Sequence, residues 1–256
     1  MNKGKTYEYI LEMLNKKGAL LFSVVDPIDY KSFEDVVKTA KNADEADVDI
    51  ILVGGSTGVQ GEFLDNVVKA IKQEVSKPIV LFPGNIGTVT RYADAIYFMS
   101  LLNSRNPYWI TRAQMLAAPY LKRIGVEAIS TAYVVVEPGG TVGWVGDVDL
   151  IPRNKPKIAS FFAEASEIMG FSLYINDAGS NPQNGHIPLD FVRTVSKNIN
   201  IPYVVAGGIR TPEEAKKVIK AGADIIQVGT AFEEKNAIER IKKFVNSVKE
   251  GYRERI

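Results

Sequence analysis

Apolar residues occur along this chain in two alternating rhythms. Short continuous apolar runs read as strands buried on both faces. Between them, apolar positions recur at helical spacing. Residues 6–17 set Tyr9, Ile10, Met13 and Leu14 on one helical stripe, which Gly18 ends. ALLFSVVDP then forms the first strand and stops at Asp26-Pro27. Ser32 to Asn42 reads as a helix, DIILVGGS (49–56) as strand two, Phe63 to Val75 as helix two and PIVLFPGN (78–85) as strand three. Here the alternation breaks. IGTVTRYADA is too short and too rich in Thr and Gly for a full helix, and it leads directly into AIYFMSLLN (95–103).

The alternation then resumes. Asn106 to Ile124 predicts helix four, with Pro107, Tyr108 and Trp109 at its start. VEAISTAYVVVEPGG is strand five. The long Gly-rich stretch after it, TVGWVGDVDLIPRNKP, is expected to be a lid or binding element. Lys157 to Met169 is helix five, and strand six carries Tyr174 and Asp177. Helices at Leu189–Asn198, Pro212–Ala221 and Glu233–Lys249 complete the chain, with strands between them. No linker or repeat divides it. The pattern predicts one (β/α)8 TIM barrel over residues 1–256, modified by a missing or reduced third helix. The uncovered apolar side can hold an oily ligand or pack on a partner subunit.

The last three strands end alike. SLYINDAGS, IPYVVAGGIR and ADIIQVGTAF are apolar runs that stop at Gly179-Ser180, Gly207-Gly208 and Gly229-Thr230. Turns without Cβ bulk let backbone amides and a helix N-terminus converge on one point, where a phosphate can sit. Such a site is common after strands seven and eight of this barrel. Close packing of helix on strand would use the same glycines.

Composition narrows the chemistry. The formal net charge is +1, which gives no electrostatic case for nucleic acid. Cysteine is absent, so a disulfide framework and a thiol nucleophile are excluded. This fits a reducing, cytoplasmic interior. The first residues, MNKGKTYEYILEMLNKKG, lack the apolar core of a signal peptide, and no apolar run approaches the roughly 20 residues that span a bilayer. A soluble protein is expected. His186 is the sole histidine, too few for a metal cluster or a Ser–His–Asp system, and it reads as a loop residue. No strand ends in lysine, which disfavours Schiff-base aldolases. Strand five offers no second acid for sugar-phosphate isomerisation. Asp26, at the end of strand one, is either functional or a turn cap, with Asp29 the better cap. The GGSTG turn at 54–58 is either a flexible loop or a source of donors and hydroxyls. What remains is Asp26, the Ser56 and Thr57 hydroxyls, Asp177 and a phosphate site, and a lone acid with hydroxyl and phosphate oxygens is how Mg2+ is ordinarily held. The inference is a Mg2+-dependent reaction on phosphorylated substrates.

A run of short motifs in order then carries a family resemblance. VVDP (24–27), VGGS (53–56), LFPGN (81–85), FMSLLNSRNPYW (98–109), AYVVVEPGGTVGWVG (132–146), DAGS (177–180), AGGIR (206–210) and VGTAFE (228–233) extend over nearly the whole chain. It resembles the geranylgeranylglyceryl phosphate synthases, archaeal enzymes that join glycerol 1-phosphate to a prenyl diphosphate, and their bacterial heptaprenylglyceryl relatives. The resemblance implies Asp26 and Ser56 at the Mg2+. For glycerol 1-phosphate it implies Tyr174, Ile175, Asn176, Asp177, Ala178, Gly179, Ser180, Gly207, Gly208, Gly229 and Thr230. Asp177 stands where the family usually has Glu in a Y-L-E-A-G-S-G stretch, and one extra residue separates it from Tyr174. Asp26 and Asp177 are the implied catalytic acids. The prenyl tail is expected past Phe98 and Tyr108, with Tyr133 of strand five. A homo-oligomer is expected. Another phosphate-binding barrel enzyme and a non-catalytic prenyl-lipid binder are the rival readings.

Overall fold

A computed structural model describes residues 4–55, 57–233 and 237–255. These residues form a closed barrel of eight parallel strands in sequence order. The strands are β1 (Leu20–Val25), β2 (Ile50–Gly55), β3 (Ile79–Pro83), β4 (Ala95–Leu101), β5 (Glu127–Val135), β6 (Leu173–Asp177), β7 (Tyr203–Ala206) and β8 (Ile225–Val228). Helix α1 (Lys5–Lys17) precedes the barrel. The outer layer comprises α2 (Phe33–Glu45), α3 (Gly61–Glu74), α4 (Ala113–Ile124), α6 (Pro156–Ile168), α7 (Leu189–Ser196), α8 (Pro212–Lys220) and α9 (Ala237–Arg253), while the short α5 (Gly140–Val145) lies at the barrel mouth. No helix among the described residues is long and apolar enough to cross a membrane.

The two-residue period of the strands sorts their side chains into two cores. Leu20, Phe22, Ile50, Leu52, Tyr97, Ile175 and Ile225 fill the barrel interior. Leu21, Val25, Ile51, Val53, Tyr174, Val205 and Ile226 pack against the helices. Helix α1 closes the bottom. Its Ile10 is fully buried in the inner core, with Tyr7, Met13 and Leu14 beside it. Both Glu127 carboxylate oxygens accept from its first turn, Thr6 N at 2.7 Å and Tyr7 N at 2.9 Å, where an acid also complements the helix dipole.

Among the described residues no helix lies between β3 and β4, as the interrupted rhythm predicts. Asn85 folds the chain back by accepting from Gly87 N at 2.7 Å. The glycine-rich stretch after β5 winds in part into α5, Gly140–Val145. One expectation needs correction. The segment before α4 begins as a π-helical turn, Tyr108–Arg112, whose Tyr108 carbonyl accepts from Ala113 N. The expected start of the last helix, Glu233, precedes residues outside the described set.

A polar relay sits within the outer core. The Tyr203 hydroxyl donates to Asn176 Oδ1 (2.9 Å), Asn176 Nδ2 donates to Tyr174 Oη (3.1 Å), and Tyr174 Oη donates to the Ala159 carbonyl on α6 (2.8 Å). All three side chains are fully buried. Asn176→Leu leaves the Tyr203 hydroxyl without its acceptor, while Tyr174 keeps its bond to Ala159, so about 1–3 kcal/mol of stability should be lost for one unmet buried group. Equilibrium urea unfolding reads this. A midpoint unchanged from wild type would mean that the Asn176 amide adds nothing to the packing of β6 against β7.

Candidate functional site

A cavity of about 440 Å³ opens at the C-terminal ends of the strands. Its polar end is built by the turns after β6, β7 and β8. Gly179, Ser180, Gly207, Gly208, Gly229 and Thr230 all line it. Gly207 and Gly208 have φ of +82° and +74°, a conformation side chains rarely adopt. A Cβ on Gly207 would lie 2.7 Å from Asp177 Oδ1, and one on Gly208 would lie 2.5 Å from the Gly185 carbonyl carbon. Both glycines therefore allow close approach as well as the turn. The start of α8 is closed by its own capping box. Thr211 Oγ1 accepts from Glu214 N, and Glu214 Oε2 accepts from Thr211 N and from Arg210 N. An anion in the cavity would therefore meet the glycine turns rather than that helix end.

Asp177 sits at the centre, buried on the last position of β6. Its Oδ1 accepts from Gly179 N at 2.7 Å, and its Oδ2 accepts from the Tyr133 hydroxyl at 2.7 Å. Burial pushes this carboxyl above the ordinary aspartate range, and the two donors pull it back. Burial and the adjacent Asp177 carry the Tyr133 phenol well above its ordinary value.

Asp26 faces the cavity from the end of β1. Its Oδ1 is buried without a hydrogen-bond partner. Burial, then the charges of Asp29 and Glu233, push its carboxyl up to about 7, against the backbone donor of Ile28. Asp29 and Glu233 also line the cavity. Asp29 is no cap: the next helix, α2, is capped by Ser32. A Cβ on Gly55 would lie 2.6 Å from Asp26 Oδ1, so β2 must end in glycine for the acid to fit. No group of three or more His, Cys, Asp and Glu among the described residues could hold a metal unaided. Ser56, the other implied ligand, lies outside the described residues.

The other end of the cavity is apolar. Ile86, Val89, Ile96, Phe98, Met99, Trp109, Ala113, Ala117 and Leu121 line it beside the missing helix. Gln114 ties this wall together, its Nε2 donating to the carbonyls of Trp109, at 3.0 Å, and Met99.

Several expected residues lie elsewhere. Tyr174 and Asn176 are not in the cavity. They alternate with inward-facing Leu173, Ile175 and Asp177, and their polar atoms are engaged in the outer relay. Ala178 also packs in the outer core, and Ile175 is buried in the barrel interior without lining the cavity. Tyr108 does not line the groove. Trp109 does, with Tyr108 edge-on behind it at 4.9 Å. Tyr133 does line the cavity, but its hydroxyl serves Asp177. His186 is a loop residue outside the cavity lining. Sequence reasoning names Trp109 only as one of the aromatics that start helix four, and passes over Gln114, Tyr97, Gln227, Arg210 and Arg240, all of which line the cavity.

A closed barrel with glycine turns on its last three strands, an acid among them and an apolar groove beside them defines a class: (β/α)8 enzymes that handle phosphorylated substrates. Within it, the chain belongs to the PcrB family, whose sequence profile matches residues 15–249. It is 50% identical over 248 residues to the geranylgeranylglyceryl phosphate synthase of Pyrococcus horikoshii, covering 97% of this chain and 96% of that protein. The synthase of Methanosphaera stadtmanae is 48% identical, covering 94% of this chain and 98% of that one. The crystal structure of (S)-3-O-geranylgeranylglyceryl phosphate synthase from Thermoplasma acidophilum in complex with sn-glycerol-1-phosphate superposes with a TM-score of 0.89 at 38% identity, covering 94% of this chain and 98% of that one.

The Tyr133 contact makes a prediction that does not depend on activity. Its O–H stabilises the charged form of Asp177, so Tyr133→Phe should raise the Asp177 pKa above its wild-type value. Carboxyl-carbon NMR titration of the labelled protein reads it. A pKa equal to or below that of the wild type would show that the contact does not set the charge.

Proposed function

We propose that this protein joins sn-glycerol 1-phosphate to geranylgeranyl diphosphate, forming an ether bond and releasing diphosphate. One observation carries the reading. A continuous cavity connects an acid-bearing, glycine-turned polar end to an apolar groove left open by the absent helix. Neither a sugar-phosphate isomerase nor a simple anion site has use for that groove. The product named for the similar synthases, and the sn-glycerol-1-phosphate bound as substrate by one of them, support the same conclusion. We place the reaction in the cytoplasm.

The chain's residues divide the work. The turns at Gly179-Ser180, Gly207-Gly208 and Gly229-Thr230 receive the phosphate. The terminal hydroxyl of the glycerol then lies against Asp177, which orients it and accepts its proton as the oxygen bonds to the allylic carbon. The carbon–oxygen bond to the diphosphate breaks in the same displacement. The groove past Phe98 and Trp109 lays the prenyl chain down and keeps water from the allylic carbon. The orphaned Asp26 oxygen, crowded by Asp29 and Glu233, fits a cation. Mg2+ bound by Asp26, with Ser56 as the second implied ligand, would neutralise charge on the departing diphosphate. We also assign the outer face of α4, where Met115 and Leu116 are 61% and 52% exposed, to contact with a second copy.

Purified protein incubated with Mg2+, each glycerol phosphate enantiomer and prenyl diphosphates of several lengths should yield geranylgeranylglyceryl phosphate, identified by mass spectrometry. Absence of any prenyl ether would end this reading. Asp26→Asn should lower turnover by at least ~100-fold, on the order of 3 kcal/mol of barrier, with melting temperature nearly unchanged. Normal turnover in that variant, or full wild-type activity in EDTA, would remove the metal from the scheme. Ala117→Trp should shorten the longest prenyl chain accepted, because Ala117 lines the groove. An unchanged chain-length profile would place the tail elsewhere.

A further inference from the structure

A glycerol phosphate has a stereocentre at its middle carbon. Telling it from its mirror image takes three points of contact. Two are already assigned: the phosphate at the glycine turns and the terminal hydroxyl at Asp177. The third must meet the C2 hydroxyl. Among the described residues, three cavity-lining side chains hold a buried oxygen without a partner: Asp26, Gln114 and Gln227. Asp26 belongs to the end of β1 where the acids crowd, and Gln114 lies in the apolar groove. Gln227 remains, on β8.

The strand register sets it in place. Asp177 pairs with Ala206, and Ala206 pairs with Gln227, so the three share one inward-facing layer. Ala206 contributes only a methyl group. Asp177 and Gln227 therefore flank a shallow niche, two inter-strand steps of about 4.8 Å apart. The Gln227 amide is fixed on its far side, where Nε2 donates to the Tyr97 hydroxyl at 2.8 Å, and Tyr97 is itself buried against Phe82, with ring centroids 5.7 Å apart. Gln227 is only 3% exposed, yet its Oε1 has nothing to accept from. A buried amide oxygen left unmet is costly. A hydroxyl bound above Ala206 would satisfy it.

We infer that Gln227 accepts a hydrogen bond from the C2 hydroxyl of the bound glycerol phosphate, with Tyr97 holding the amide in position, and so sets which enantiomer reacts. This rests on the prenyl-transfer reading above. The test uses three acceptors, each with geranylgeranyl diphosphate and Mg2+: sn-glycerol 1-phosphate, its enantiomer sn-glycerol 3-phosphate, and 3-hydroxypropyl phosphate, which lacks the C2 hydroxyl. Wild type should prefer sn-glycerol 1-phosphate over both others by at least about tenfold in kcat/KM, since a site built for a hydroxyl rejects the analogue without it. Gln227→Leu should lose that preference against both, its kcat/KM falling by at least about tenfold on sn-glycerol 1-phosphate and much less on 3-hydroxypropyl phosphate. Simple misfolding would lower all three rates together. Tyr97→Phe keeps the glutamine but frees it, and should narrow the enantiomer ratio in the same direction, which keeps the test open if the leucine variant does not fold. If both variants keep the wild-type enantiomer ratio while wild type makes the ether, Gln227 is not the third contact, although the reaction stands. If wild type prenylates none of the three acceptors, the reaction fails, and this contact fails with it.

Discussion

Asp177 is a carboxyl group at the end of an apolar strand, and keeping it there shapes everything around it. A charged carboxylate taken out of water costs several kcal/mol unless donors replace the lost solvent. Here the donors are the Tyr133 hydroxyl and the Gly179 amide, one for each oxygen. The amide can reach back only because the chain turns at Gly179, at φ +85°. The neighbouring strand must then pass without side-chain bulk, because any Cβ at residue 207 would touch Asp177 Oδ1. The glycines at 179 and 207 thus result from one buried acid. The surface they leave, dense in backbone and free of side chains, is also what an anion needs.

A second constraint comes from what is absent. An eight-stranded barrel ordinarily covers every strand with a helix, since each outward face is apolar. Between β3 and β4 this chain supplies only a short connection. The exposed strip is relined from the side by the π-helical turn and α4, which stand away from β4 far enough to leave a groove. Gln114 holds that wall by bonding both β4, through Met99, and the π turn, through Trp109. A groove held open by hydrogen bonds to backbone, rather than by side-chain bulk, keeps a smooth apolar lining suited to a long hydrocarbon.

The barrel is legible in the sequence because parallel strands buried on both faces are continuous apolar runs, and this signal survives without knowledge of any contact. The missing helix is legible for the same reason. The glycine turns, Asp26 and Asp177 stand at strand ends, where position alone marks them. What escapes depends on facing. The family resemblance marks Tyr174 as a site residue, although the parity that turns Asp177 inward turns Tyr174 outward. The same parity makes Gln227 an inward polar residue in the run IIQV, a signal present in the sequence and unused. Trp109 cannot be separated from Tyr108 by helical phase. The π turn adds one residue to its loop and rotates the residues beyond it by about 100° relative to an α-helix.

The two acids of the cavity differ in a way that fits the separate roles proposed for them. Both are raised by burial, but Asp177 already has a donor at each oxygen, whereas Asp26 has an oxygen with none and two further acids beside it. A carboxylate held by fixed donors keeps a defined orientation and a lone pair for a single incoming hydroxyl. A carboxylate short of donors and surrounded by like charge gains most from a cation. Exchanging these surroundings would exchange the roles, even though both residues are aspartate. The chemistry of the cavity is therefore written less in its two acids than in the tyrosine, the glycines and the neighbouring charges that make them unequal.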